Sequence, residues 1–195
     1  MNIRTVAKHL VFVSLILTSI FVSNLFAISK DNFNIVSNSK NQIDIQFNLG
    51  EWNLQNTEKN GISCKEIVSN AKHRIFVDET ETMPVYSAMI AIPDGMDVEV
   101  ITDYTDTQSI RSVNLIHKDL IVNERGDDTL YPLNKVVISE PGQFRDFRVV
   151  NLNVYPFQYN TRSNELSVTK SASISLRFVP SRNAHINPAK GYYSN

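Results

Sequence analysis

Residues Glu140–Phe178 contain two runs in which apolar and polar side chains alternate, and that period of two admits few architectures. In the first run Val150, Leu152 and Val154 share one parity, with Asn151 and Asn153 on the other. In the second run Leu166, Val168, Ala172, Ile174, Leu176 and Phe178 keep one parity, while Ser167, Thr169, Ser173, Ser175 and Arg177 keep the opposite one. Successive side chains of a strand point to opposite faces, so each run describes a strand with one buried and one wet face. Asn160-Thr161-Arg162-Ser163-Asn164 lies between the runs and supplies residues that bond their own main chain in tight turns. The segment therefore reads as a long antiparallel hairpin. A half-buried hairpin needs a second layer to cover it.

The rest of the chain supplies candidates for that layer. Ile43, Ile45, Phe47 and Leu49 alternate with Asp44, Gln46 and Asn48, and Trp52 and Leu54 follow as core or rim residues. Asn60-Gly61 is a turn signal before Ile62–Val68, which is ambiguous between strand and short helix. His73–Val77 reads as a short strand. Val85–Ile92, bracketed by Pro84 and Pro93, is nearly all apolar, as in a strand covered on both faces. Val98 and Val100 alternate with Asp97 and Glu99 after the Pro93-Asp94-Gly95 turn.

From Tyr104 to Asp128 the pattern is less regular. Val113, Leu115, Leu120 and Val122 suggest strands, and Glu124–Asp128 a charged loop. Val136–Ile138 is a further strand before the Glu140-Pro141-Gly142 turn. Pro156 has no amide proton to donate, so its strand should lie at an edge or carry a bulge there. Many short strands without long capped helices predict an all-β fold, an antiparallel β-sandwich with at most one short helix.

Residues 1–27 stand apart from this domain. Arg4 and Lys8 precede an apolar run from Leu10 to Val22, and Ala27 offers a small residue for cleavage. That order of features is a secretory signal peptide, which predicts a secreted or cell-surface protein; the competing reading is an uncleaved anchor. Removing the segment takes two cations and no acid, moving the formal net charge from −1 to −3 over 168 residues. Nothing there builds the basic field that tracks phosphates, so nucleic acid is not an expected partner. Cys64 is the only cysteine, and packing must do the work that disulfides do in many small secreted domains. The expected organisation is a signal peptide over 1–27, a sandwich over 28–180 and a linker over 181–195.

Catalytic patterns are thin. Cys64 with His73 or His117 could nominally form a nucleophile and base, but Cys64 sits among Ile62, Ile67 and Val68, where a thiol behaves as a small hydrophobe. His73, His117 and His185 show no metal-ligand spacing, and neither a metal nor a small-molecule cofactor is expected. Asp103, Asp106, Asp127 and Asp128 read as solvated loop acids. Arg125-Gly126-Asp127 spells a tripeptide that adhesion receptors read; a turn using glycine for its geometry produces the same letters.

Four blocks carry a resemblance. Met83–Pro93 (MPVYSAMIAIP), Glu140–Val150 (EPGQFRDFRVV), Val154–Asn160 (VYPFQYN) and the closing run Leu166–Phe178 resemble, in order and spacing, segments of gingipain-type propeptides. Met83 and Phe147 stand where leucine and tyrosine are commoner. The resemblance implies a non-catalytic β-sandwich prodomain that precedes a caspase-like cysteine peptidase in a secreted precursor, assists its folding and keeps it latent. The partner it implies is the cognate gingipain-like peptidase domain, in cis or in trans. The chain ends at Gly191–Asn195, near where the connection to that domain should begin, so a precursor cut short and a free-standing prodomain are both expected forms. Inhibition in the family presents a basic side chain to the peptidase's specificity pocket. Arg125 is the first candidate for that part by its loop setting, Lys118 the second, and Arg182 and Lys190 are candidate processing sites. The alternative function is an exported adhesion or ligand-binding module, with Trp52, Tyr86, Tyr104 and the Arg125 loop as contacts.

Overall fold

The computed structural model describes residues 32–77, 80–125 and 130–181. Residues 1–27 with Ala27, the span 182–195 with Arg182 and Lys190, and Gly126-Asp127-Asp128 lie outside the described residues. The described chain runs β1 (Phe33–Asn38), β2 (Gln42–Asn48), β3 (Trp52–Lys59), β4 (Ile62–Ser69), β5 (His73–Val77), β6 (Thr80–Ile92) and β7 (Met96–Ile110). It continues through the helix α1 (Lys118–Arg125), β8 (Leu130–Tyr131), β9 (Val136–Ile138), β10 (Gly142–Phe144), β11 (Phe147–Val154), β12 (Phe157–Asn160) and β13 (Glu165–Pro180).

Two antiparallel sheets enclose the core. In the larger, β1 pairs β2, β2 pairs β13, β13 pairs β12 and β12 pairs β8, while β7 lies along the other side of β13. In the smaller, the order is β10-β11-β6-β5 with β9 beside β11, and β3–β4 forms a separate hairpin. The core holds Ile43, Ile45 and Phe47 of β2 and Leu166, Val168, Ala172, Ile174 and Leu176 of β13. Against them stand Met83 and Tyr86 of β6 and Leu152 and Val154 of β11. Phe47 and Tyr86 meet edge-on with ring centroids 5.5 Å apart, a favoured aromatic arrangement that joins the two layers. The all-β sandwich with one short helix among the described residues is as the alternation predicted.

The long hairpin is not. The alternating faces of both runs are as expected, but only Phe157–Asn160 pairs with β13. The earlier run, β11, pairs with β6 in the other sheet. Tyr155-Pro156 is where the chain changes layers, with the Pro156 carbonyl accepting the Thr169 amide at 2.7 Å. Proline, unable to donate, falls where one ladder ends and the next begins.

Three further segments settle or depart from their sequence pattern. Ile62–Ser69 is strand, paired with β3 through a two-residue turn in which Asn60 (φ 54°) and Gly61 (φ 78°) are both left-handed. A two-residue turn of that kind matches the twist of the flanking strands. β6 is covered on both faces only from Thr82 to Tyr86; beyond it Ser87, Met89 and Ala91 face solvent. Pairing of β7 with β13 extends to Ile110, through register shifts around Ser171 and past the point where the alternation fades. The fourth departure, at Val113–Val122, forms the candidate site.

Candidate functional site

Between β7 and β8 the chain leaves the sheets, and a few buried apolar side chains and specific hydrogen bonds anchor that excursion. Val113 and Leu115 are not in a strand. They are buried in a loop stitched to β4: the Lys65 amide donates to Asn114 O (2.8 Å) and the Ile116 amide to Lys65 O (3.0 Å). Asn114 adds a side-chain bond to Ser63 O at 3.1 Å. Leu120 and Val122 lie in α1, whose Ile121 is wholly buried. Asp119 in the first turn is an acid where a helix dipole favours one.

The turn recognised in the sequence fixes the start of this helix. Asn160 Oδ1 accepts the amides of Arg162 (3.0 Å) and Ser163 (2.9 Å), closing the turn. Asn164 then takes a left-handed conformation (φ 51°), which asparagine tolerates better than most residues. Its carbonyl accepts the Val113 amide at 2.9 Å. Its Oδ1 accepts Lys118 Nζ at 2.8 Å. The buried Tyr159 hydroxyl lies 2.9 Å from the same oxygen and 2.8 Å from Val113 O, and donates to one at a time. Burial raises the Tyr159 phenol above its ordinary range, with a backbone hydrogen bond from Leu115 acting against it.

The return path is fixed by the same hairpin. Leu130 and Tyr131 pair with Asn160 and Tyr159. The buried Gln158 side chain donates to Pro132 O (2.8 Å) and Leu133 O (3.1 Å). Both ends of the excursion therefore rest on β12 and its turn.

Beneath the helix a small cavity is lined by Lys65, Glu66, Ile67, Thr82, Met83, Leu115, Ile116, His117 and Ile121. His117 precedes α1, and its carbonyl accepts the Ile121 amide at 3.2 Å. Burial pushes its pKa below the usual histidine value; the Arg74 guanidinium acts in the same direction, as does Lys59, with Glu66 opposing. Arg74 is itself held by Ile67 O and Thr82 O and lies 3.9 Å from Glu66. Lys59 reaches both Ile116 O (3.3 Å) and Asp119 (3.5 Å).

This arrangement can present a surface; it holds no described reaction centre. Cys64 is buried on β4 with its thiol 3.1 Å from Ile62 O, bonded to its own strand and to neither histidine. Among the described residues no three His, Cys, Asp or Glu side chains group as a metal site. Of the residues singled out in the sequence, the excursion brings together Lys118, His117 and Arg125. Lys118 is committed to Asn164. Arg125 sits at the end of a helix and not in an open loop, because the helix runs on through Asn123 and Glu124. Trp52 packs edge-on against Phe157 at 5.3 Å, and the Tyr86 hydroxyl bonds Asn70 at 2.8 Å, so both contribute to packing. Of the residues that hold the excursion, Asn164 is visible in the sequence as a turn residue, and Gln158 and Tyr159 only as part of the Val154–Asn160 block.

The exposed elements of this β-sandwich are edges, loops and one pinned helix. The family model Propeptide_C25 matches residues 30–191, and the chain belongs to that family, the gingipain-type propeptides. Solved structures share the fold. The complex of Porphyromonas gingivalis RgpB pro- and mature domains superposes with a TM-score of 0.67 at 13% identity, covering 85% of this chain and 96% of that one. A structure concerning the zymogenic latency of gingipain K from Porphyromonas gingivalis gives 0.58 at 17% identity, covering 77% and 94%. No curated protein matches the sequence.

Proposed function

We propose that this chain is the N-terminal prodomain of a secreted gingipain-like cysteine endopeptidase, non-catalytic itself, that assists folding of the peptidase and holds it latent. The observation that carries this reading is the family match, which spans the sandwich from before β1 to beyond β13. The solved RgpB relative is a complex of pro- and mature domains, which makes a peptidase domain the natural partner for a chain of this fold. In this reading residues 1–27 are an export signal cut after Ala27. The sandwich over 28–180 covers the peptidase, and 181–195 connects to it, with Arg182 and Lys190 as processing sites.

Latency requires a group that occupies the specificity pocket, and a basic side chain on a braced support suits an acidic pocket. Arg125 is the candidate. Lys118, tied to Asn164, is the weaker choice because docking would cost it that bond. Mixing the purified chain with its cognate peptidase should give stoichiometric loss of activity. Arg125→Ala should raise the inhibition constant about 30-fold, as for an interface hot spot of roughly 2 kcal/mol, and leave the melting temperature unchanged. A chain that neither inhibits nor binds the peptidase at micromolar concentration overturns the reading. Full inhibition by Arg125→Ala removes only that residue.

A further inference from the structure

β7 has a partner on one side only. Residues Met96–Ile110 pair with β13 from Pro180 back to Leu166. Beyond Met96, whose amide donates to Pro93 O (3.3 Å) and whose carbonyl accepts the Arg148 guanidinium (2.9 Å), no described strand or hydrogen bond to the backbone meets the opposite edge. An edge of this length is a row of amide and carbonyl groups in search of partners. Its second half stands clear of the core as well: Asp103 to Ser109 are exposed on both faces, in contrast to the half-buried Met96–Val98. Ile101 and Tyr104, 48% and 37% exposed, add apolar surface beside the open backbone.

The strand's own charges have one sign, although Lys135 from outside it lies over the Tyr104 ring at 4.7 Å. Asp97, Glu99, Asp103 and Asp106 lie within the strand, which contains no lysine or arginine. Asp97 is paired with Arg148 at 3.6 Å, while Glu99, Asp103 and Asp106 enter no described ion pair. Their partners across the ladder are Arg177, Ser173 and Ser171, alternate residues of β13, so the three acids share the outer face. The register shift between Ser171 and Ala172 is what returns Asp106 to the side of Asp103. Such bulges bend and twist a strand, and they concentrate at sheet edges.

These acids exclude one occupant and specify another. A second copy of β7 pairing antiparallel would set acid against acid, and like charges directly opposite are destabilising. A strand with Lys or Arg at alternate positions would meet complementary charge on the outer face and complete the backbone ladder. β7 also runs directly into Arg111 and the excursion that carries α1.

We propose that the free edge of β7 is a docking edge for an extended basic segment of the peptidase domain, added to the larger sheet as a further antiparallel strand. This rests on the prodomain reading above and extends the contact from a single plugging side chain to a backbone-paired strand.

Hydrogen exchange followed by mass spectrometry on the whole chain, free and with its cognate peptidase, tests it. The expected result is slowed exchange across 97–109 in the complex, with the triple variant Glu99→Lys/Asp103→Lys/Asp106→Lys weakening binding about tenfold or more. Glu99 stands opposite Arg177, so a lysine there adds like-charge repulsion and lowers the melting temperature. The double variant Asp103→Lys/Asp106→Lys, opposite Ser173 and Ser171, should melt with the wild type and still weaken binding, and the wild-type exchange pattern depends on neither. A complex that forms with 97–109 exchanging as in the free chain overturns the edge and leaves the prodomain reading standing. So does slowed exchange there with undiminished binding by the triple variant. Failure to form any complex overturns both.

Discussion

The sandwich core and the excursion from Arg111 to Leu133 are held by different physics. In the core, alternating apolar faces of β2, β6, β11 and β13 exclude water together, and no single contact is indispensable. The excursion has only a few apolar pins (Val113, Leu115, Ile121 and Tyr131). Its course is set by bonds to particular atoms: Asn164, Gln158, Tyr159 and the backbone of Lys65. The first kind of region stores stability, and the second positions a surface. A prodomain that must stay folded while its contact element docks and is later released benefits from keeping the two apart.

The largest expected effect breaks the core. Leu152 is wholly buried between the layers, and Leu152→Ala should cost about 2–5 kcal/mol through lost burial and the cavity left behind. Urea unfolding should show the midpoint falling with an unchanged slope. A cost below about 1 kcal/mol would mean that the two sheets are not packed as described.

Asn164 comes next, and it separates the regions. Asn164→Ala removes the acceptor for Lys118 Nζ, withdraws one Tyr159 partner and leaves alanine at φ 51°. The expected loss is about 1–3 kcal/mol, from an unsatisfied group and a strained backbone. Asn164→Gly keeps the backbone comfortable and loses only the side-chain bonds, so it should cost less. The sharper readout is local: amide exchange at Ile116 and Ile121 should speed up in both variants more than exchange in β11. Equal acceleration in both places would show that the excursion and the core open as one unit.

Acid probes the same boundary through His117. Its folded pKa is depressed, chiefly by burial and then by Arg74, so the unfolded chain binds the proton more readily. Stability from this source is full above the unfolded value of about 6.5 and declines as pH falls from there. Asp44 acts in the same direction in a lower window. Hydrogen bonds from Ser175, then Ser37 and Gln42, hold its folded pKa below that of an ordinary carboxylate, and this support is lost only as acid titrates carboxylates. Unfolding measured at pH 7.5 and 5.5 should therefore show a loss that His117→Gln removes. An unaltered loss in that variant would assign it to another group.

How much of this was legible in the sequence follows the same division. Period-two alternation is an average over many contacts, and it located β2, β11 and β13 with the correct faces. It could not say that β11 and β12 belong to different sheets, because face alternation carries no information about which strand lies alongside. Only Pro156 hinted at the break. The alternation failed in α1, where Ile121 and Val122 are β-branched and eight residues are too few to establish a helical period. Asp119 and Arg125 at opposite ends were the available helical signal. Asn164 was read as a turn residue, which it is. That its side chain also receives a lysine 46 positions away in sequence is a fact of tertiary contact that no local pattern encodes.

The smallest effect tests whether charge pairing contributes to the pinned helix at all. Lys59 and Asp119 lie 3.5 Å apart, but Asp119 is 79% exposed, and pairs of that kind contribute about 0–1 kcal/mol. Asp119→Ala should cost about 0.5 kcal/mol, shared between the pair and the favourable position of an acid in the first helical turn, and part of it should vanish in high salt. Lys59 has a second attachment, Ile116 O, which Asp119→Ala leaves in place and Lys59→Met removes. Lys59→Met should therefore cost more than Asp119→Ala, with the excess insensitive to salt. Equal costs that both disappear in salt would mean that the bond to Ile116 adds nothing, and that the helix is held at this end by Ile121 and Asn164 alone.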